Sequence, residues 1–206
     1  MTAPVLEVAP SPNGTHAPGV GPRRRPLSAH DFEQLVLLGL LDGSRFELID
    51  GEIIEMPPIG ENHAMSVSRT TRRLNIALDE SLLTRPQNPL NAGTFGRPEP
   101  DIAVVLTSTL VPGETPSQAE LVIEVSDSTL KYDQTDKASL YASLGVQDYW
   151  IINLVESTLE VRRQPIARPS ARFGFDYASI QIYTRGQNAS PLVAPSLSLL
   201  VDDLLP

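Results

Sequence analysis

Residues 119–126 read AELVIEVS, and how that stretch is read decides the fold. Leu121, Val122, Ile123 and Val125 make it a β-strand by composition. Glu124 nevertheless stands in its middle. An ionised carboxylate among apolar side chains costs on the order of several kcal/mol unless something pairs with it. Either a basic group or a metal ion meets Glu124, or the strand is less buried than its neighbours imply.

Working upstream, DIAVVL (residues 101–106) is a second apolar strand, entered through Pro98-Glu99-Pro100 and joined to the first by a polar Pro/Gly/Ser loop over 107–118. A weaker strand is expected around Ala92–Phe95. Downstream, a helix is expected over about Tyr132–Leu144, closed by Gly145. DYWIIN (148–153) and TLEVRR (158–163) then read as paired strands, followed by further strand within Phe173–Tyr183 and a short closing element in PSLSLLVDDLL. The order helix, strand, strand, strand, helix, strand predicts an α/β (α+β) architecture, a mixed central sheet flanked by helices.

The amino-terminal part adds three pieces. Residues 1–26, rich in Pro, Gly, Ala and Ser and ending in GPRRRP, are expected to be a disordered tail, with 27–206 forming a single domain. LSAHDFEQLVLLGLL carries Ser28 as N-cap and an apolar set at Phe32, Leu35, Val36 and Leu40, a short helix ended by Asp42-Gly43. RFELIDGEIIEM is a hairpin turning at Asp50-Gly51. Pairing across that turn puts Phe46, Leu48 and Ile53 on one face, expected to be core, and Glu47, Ile49, Glu52 and Ile54 on the other. GENHAMSVSRTTRRLNIALDESLL then reads as a long helix with the stripe Ala64, Val67, Leu74, Leu78 and Leu82. Arg69, Arg72 and Arg73 lie opposite that stripe, available to phosphates, to an acidic partner or to solvent. His63, near the helix start, reads as a capping or packing group.

Composition narrows the function. The 206 residues contain no cysteine, which excludes disulfides, zinc–thiolate sites and a cysteine nucleophile. No apolar run approaches membrane-spanning length and the first residues lack the pattern of a signal peptide, so a cytoplasmic protein without a membrane partner is expected. The formal charge of −9 argues against non-specific avidity for nucleic acid, though it does not describe any one cleft. Of sixteen basic residues, Lys131 and Lys137 are the two lysines and the other fourteen are arginine. A lysine in such a chain marks a place where a compact, tunable charge is wanted, or it is chance.

Two carboxylates meet if the strands pair as neighbours: Asp101 at the start of one, Glu124 within the next. Hard oxygen ligands of this kind suit Mg²⁺ or Mn²⁺. Asp133, Lys137 and Tyr141, spaced four residues apart, share one helix face. Lys137 can then reach over the strand end to orient or deprotonate a water and to offset charge in a phosphoryl transition state. The plainer account of the same spacing is an Asp133–Lys137 surface pair.

FELIDGEIIEMPP, PEPDIAVV, LVIEVSDST and DQTDKASLYASLGVQDYWIIN, in this order, resemble the Uma-two family of restriction-endonuclease-like proteins in the PD-(D/E)XK nuclease superfamily, over roughly Leu27 to the C-terminus. The resemblance implies a restriction-endonuclease-like sheet preceded by the N-terminal helix and β-hairpin. Asp101 corresponds to the acid of the PD motif and Glu124 to the acid of the ExK motif. The Val125 carbonyl completes the implied metal site, and Glu47 matches the upstream acid. The superfamily's lysine position, two residues after Glu124, is Ser126 in this chain; Lys137 matches the lysine supplied from the next helix, and Tyr141, like His63, is a supporting residue. The implied activity is that of a Mg²⁺-dependent endodeoxyribonuclease acting on DNA. A homodimer would build a basic cleft from Arg69, Arg72, Arg73 and Arg97. The alternatives are a catalytically silent nuclease-like module that binds a partner, and a glycosidase using the carboxylate pair, for which the chain has few aromatics.

Overall fold

A computed structural model describes residues 24–41 and 43–206. The expected tail up to residue 23 and the helix stop at Asp42 lie outside the described residues. The chain divides into two units: Met1–Pro58 with Asn91–Pro98, and Ile59–Leu90 with Glu99–Pro206.

The first unit holds helix α1 (Ala29–Leu37) and the antiparallel hairpin β1 (Arg45–Ile49) and β2 (Glu52–Met56). Ser28 caps α1 as expected: its Oγ accepts from the Asp31 N–H at 3.1 Å. Asp50 and Gly51 both take positive φ, as the two-residue turn requires. Leu48 pairs with Ile53 and Glu47 with Ile54, the faces read from the sequence. The expected core assignment is corrected. Ile53 is 39% exposed, whereas Glu47 is 1% exposed and Ile49 is buried with it, so β1 is enclosed on both faces.

The second unit is built on a six-stranded sheet, β3 (Leu82–Pro86), β4 (Ile102–Leu106), β5 (Leu121–Ser126), β6 (Asp148–Asn153), β7 (Thr158–Ala167) and β8 (Phe175–Tyr183), hydrogen-bonded in that order. Only β5 and β6 run parallel; the other pairs are antiparallel. A parallel pair needs a crossover, and the helical segment between them supplies it. It consists of α3 (Leu130–Tyr132), a π turn (Asp133–Lys137) and α4 (Ala138–Ser143). Burial on both faces explains why β4, β5 and β6 read as unbroken apolar runs. Leu121, Ile123 and Val125 of β5 enter one core with Trp150 and Ile152, covered by Val67 and Leu74 of α2 (Glu61–Ala77) and by Val201 and Leu204 of α5 (Val201–Leu204). Val122 alternates to the opposite core, with Ala103, Tyr149 and Ile151, beneath Ala138, Tyr141 and Ala142 of α4. Glu124, two residues on from Val122, therefore faces α4. The short strands β9 (Asn188–Ala189) and β10 (Leu199–Leu200) close the chain ahead of α5.

Further sequence expectations are corrected. The long helix stops at Ala77 rather than running to Leu83, because Asp79 folds back on Ser81, accepting from its N–H at 2.8 Å and starting a turn. Leu82, expected on the helix stripe, instead begins edge strand β3, paired with Leu106. Ala92–Phe95 form no strand. The helix over 132–144 is not regular, since residues 133–137 wind as a π turn. Among the described residues no helix is long and apolar enough to cross a membrane.

Candidate active site

Strands β4 and β5 pair Ile102 with Ile123, so Asp101 comes directly opposite Glu124 just beyond the ladder. There the side chains replace the backbone bonds. The Asp101 N–H donates to Glu124 Oε2 at 3.0 Å, and the Val125 N–H donates to Asp101 Oδ2 at 2.9 Å. Each acid thus fixes the backbone that carries the other. Both are buried.

Lys137 answers the question Glu124 raises. Its Nζ lies 3.2 Å from Glu124 Oε1, and the Tyr141 hydroxyl donates to the same oxygen at 2.7 Å. Lys137 is 1% exposed, with its Nζ 5.7 Å from the Tyr141 ring centre. Such burial is tolerable for an ammonium only with a partner of this kind. His63, at the start of α2, places Nε2 3.0 Å from Asp101 Oδ2 and steadies that carboxylate; its Nδ1 is enclosed and meets no hydrogen-bond partner among the described residues. Asp133 takes no direct part. Its Oδ2 accepts from Ser126 at 2.6 Å and from Thr129 at 2.7 Å, and burial raises its pKa above the ordinary carboxylate value, with the two hydroxyls and Lys137 opposing.

Asp101, Glu124, Lys137, Tyr141 and His63 are therefore gathered in one place. Val125 enters through its N–H. Glu47, on β1, belongs to the other unit, and so does Arg97, which lies outside β1 and pairs with Glu33 at 2.7 Å. On α2, Arg69 donates to the Leu205 carbonyl, Arg73 pairs with Asp203 at 2.8 Å, and Arg72 is exposed.

Among the described residues no three His, Asp or Glu side chains gather as a metal-binding group. Mg²⁺ does not require one: it keeps several waters and binds through one or two carboxylates plus substrate phosphate. Asp101 and Glu124 supply hard oxygens. Oxygen donors of this kind fit a hard divalent cation.

Sequence reasoning missed Tyr149 and Arg162. The Tyr149 hydroxyl donates to the Asp133 carbonyl at 2.9 Å, and Arg162 donates to the Gln134 carbonyl at 2.9 Å. Burial, foremost, holds the Tyr149 pKa well up, so it remains a donor. Nothing in DYWIIN or TLEVRR singles them out; their partners are backbone atoms of another element.

The Uma2 family model, described as “Putative restriction endonuclease”, matches residues 29–202. Among solved structures, one from Anabaena variabilis ATCC 29413, described as “a putative nuclease belonging to DUF820”, superposes with a TM-score of 0.66 at 20% identity, covering 87% of this chain and 97% of that one. At that identity the likeness carries the fold alone, and it agrees with the nuclease-like mixed sheet. No curated protein matches the sequence.

Proposed function

The chain belongs to the Uma2 family, and from that premise we propose that it is a Mg²⁺- or Mn²⁺-dependent endonuclease that hydrolyses phosphodiester bonds in DNA. The observation that carries this reading is the cross-strand pair of Asp101 and Glu124 with the Lys137 ammonium on Glu124 Oε1. Asp101 and Glu124, with the Val125 carbonyl, are the residues that would hold the cation. When bound, it supplies Lewis-acid activation of water and of the scissile phosphate.

The chain's own groups do the rest. Lys137 holds its proton at Nζ beside the reacting site, where a fixed ammonium offsets charge growing on phosphate oxygens. Tyr141 fixes the Glu124 carboxylate through Oε1, and His63 fixes Asp101 through Oδ2. Burial of this network excludes bulk water and strengthens each electrostatic contact. Arg69, Arg72 and Arg73, on one helix, meet the DNA backbone in this reading, and a homodimer brings two such faces together as a local basic surface although each copy carries a net charge of −9.

Supercoiled plasmid incubated with Mg²⁺, with Mn²⁺ or with EDTA tests this. Wild type is expected to nick only with metal. Asp101→Asn and Glu124→Gln are expected to abolish nicking while remaining folded. Absence of nicking by folded wild type under either metal would instead favour a silent module that binds nucleic acid or protein.

A further inference from the structure

The helical segment after β5 is anchored at two places. At its start, Asp133 is tied to Ser126 and Thr129. Further on, Lys137 and Tyr141 both reach Glu124 Oε1. Between them lies the π turn, Asp133–Lys137. One residue added to a 3.6-residue turn swings everything after it by roughly 100°. Without that residue, and with Asp133 still anchored, Lys137 would leave Glu124 and Asp136 would approach its place, setting acid against acid.

A π turn disturbs the regular ladder, the Asp133 carbonyl accepting from the Ala138 N–H five residues on, and leaves room for further donors to its carbonyls. The sheet below provides them. Tyr149 of β6 and Arg162 of β7 are direct cross-strand partners. The Tyr149 hydroxyl meets the Asp133 carbonyl and Arg162 meets the Gln134 carbonyl. Arg162 is itself buried and paired with Glu160, whose Oε2 accepts from the Gln134 side chain at 2.8 Å. A buried ion pair is a weak source of net stability, so stability alone does not account for this one. We propose that Tyr149 and Arg162 are positioning residues: by clamping the π-turn carbonyls they set the helical register that brings the Lys137 ammonium onto Glu124.

The catalytic part of this inference rests on the nuclease reading; the placement of Lys137 does not. Lys131 is exposed and outside the site, so Lys131→Arg makes Lys137 the sole lysine of the chain. In that background, ¹⁵N-lysine labelling follows a single Nζ signal. Tyr149→Phe keeps the ring, and Arg162→Gln keeps a donor for Glu160 but not the reach to the Gln134 carbonyl, and adds no second lysine. Both are expected to retain near-UV circular dichroism while the Lys137 Nζ signal moves to that of a solvent-exposed lysine. Plasmid cleavage should lose roughly tenfold to a hundredfold in kcat, with KM for DNA unchanged. An unchanged Nζ signal in the folded variants overturns the proposal, and if Arg162→Gln does not fold, Tyr149→Phe alone decides. A wild type that never cleaves DNA would refute the nuclease reading, and the Nζ signal would still decide the clamp.

Discussion

Replacing Lys137 with Met removes an ammonium paired with the buried Glu124 and leaves the shape of the side chain nearly intact. Glu124 would keep the Tyr141 hydroxyl on Oε1 and the Asp101 N–H on Oε2. It would lose the ammonium at 3.2 Å. Breaking a buried ion pair on one side costs about 3–5 kcal/mol. For a chain of this length each kcal/mol is worth about 2–4 °C, so Tm in EDTA should fall by about 6–20 °C. Glu124→Gln in the same background removes the stranded charge, and the double variant should regain much of that loss, with a coupling of about 0.5–3 kcal/mol. Divalent cation offers a second rescue: at a hundredfold excess over Kd it contributes about 2.7 kcal/mol. Mn²⁺ should therefore raise the Tm of Lys137→Met more than that of wild type, and should do little for Lys137→Met/Glu124→Gln. The assay is a thermal melt of four proteins with EDTA or Mn²⁺. A Lys137→Met protein as stable as wild type in EDTA, with no coupling to Glu124, would refute the reasoning.

Three further outcomes are expected. Burial raises the folded-state pKa of Asp133, so the stability its protonated form contributes is present at low pH and is lost as pH rises through that raised value; urea titrations from acid to neutral pH should find Asp133→Asn gaining on wild type as pH increases. Ser28→Ala removes both the cap on the Asp31 N–H and the 2.7 Å bond to Asp31 Oδ2, and should cost about 1–2 kcal/mol in urea unfolding. Arg72→Ala should weaken DNA binding uniformly across sequences and reduce the salt slope by about one unit if Arg72 meets a phosphate.

What the sequence made legible, it did through contrast. Glu124 was conspicuous because Leu121, Val122, Ile123 and Val125 around it are all apolar. Asp101 followed from strand order, on the condition that its strand pairs with that of Glu124 as a neighbour, which β4 and β5 do. Lys137 stood out because lysine is scarce among so many arginines. The edge strand β3 was hidden because Leu78 and Leu82 continue the helical period of α2, and the Asp79–Ser81 turn that ends the helix contains neither Gly nor Pro. Glu47 was misjudged because alternation along a hairpin tells which residues share a face, not what covers it. The π turn was invisible for a deeper reason. Its cause lies in contacts from β6 and β7 to backbone carbonyls, and a pattern within residues 133–137 cannot report donors on other strands.

The most direct test of the central claim is a crystal soaked in Mn²⁺ and measured at an anomalous wavelength. The account predicts one peak within ligand distance of carboxylate oxygens from both Asp101 and Glu124, absent from Asp101→Asn. Mn²⁺ bound elsewhere in a protein that cleaves DNA, with nothing between those two carboxylates, would contradict it.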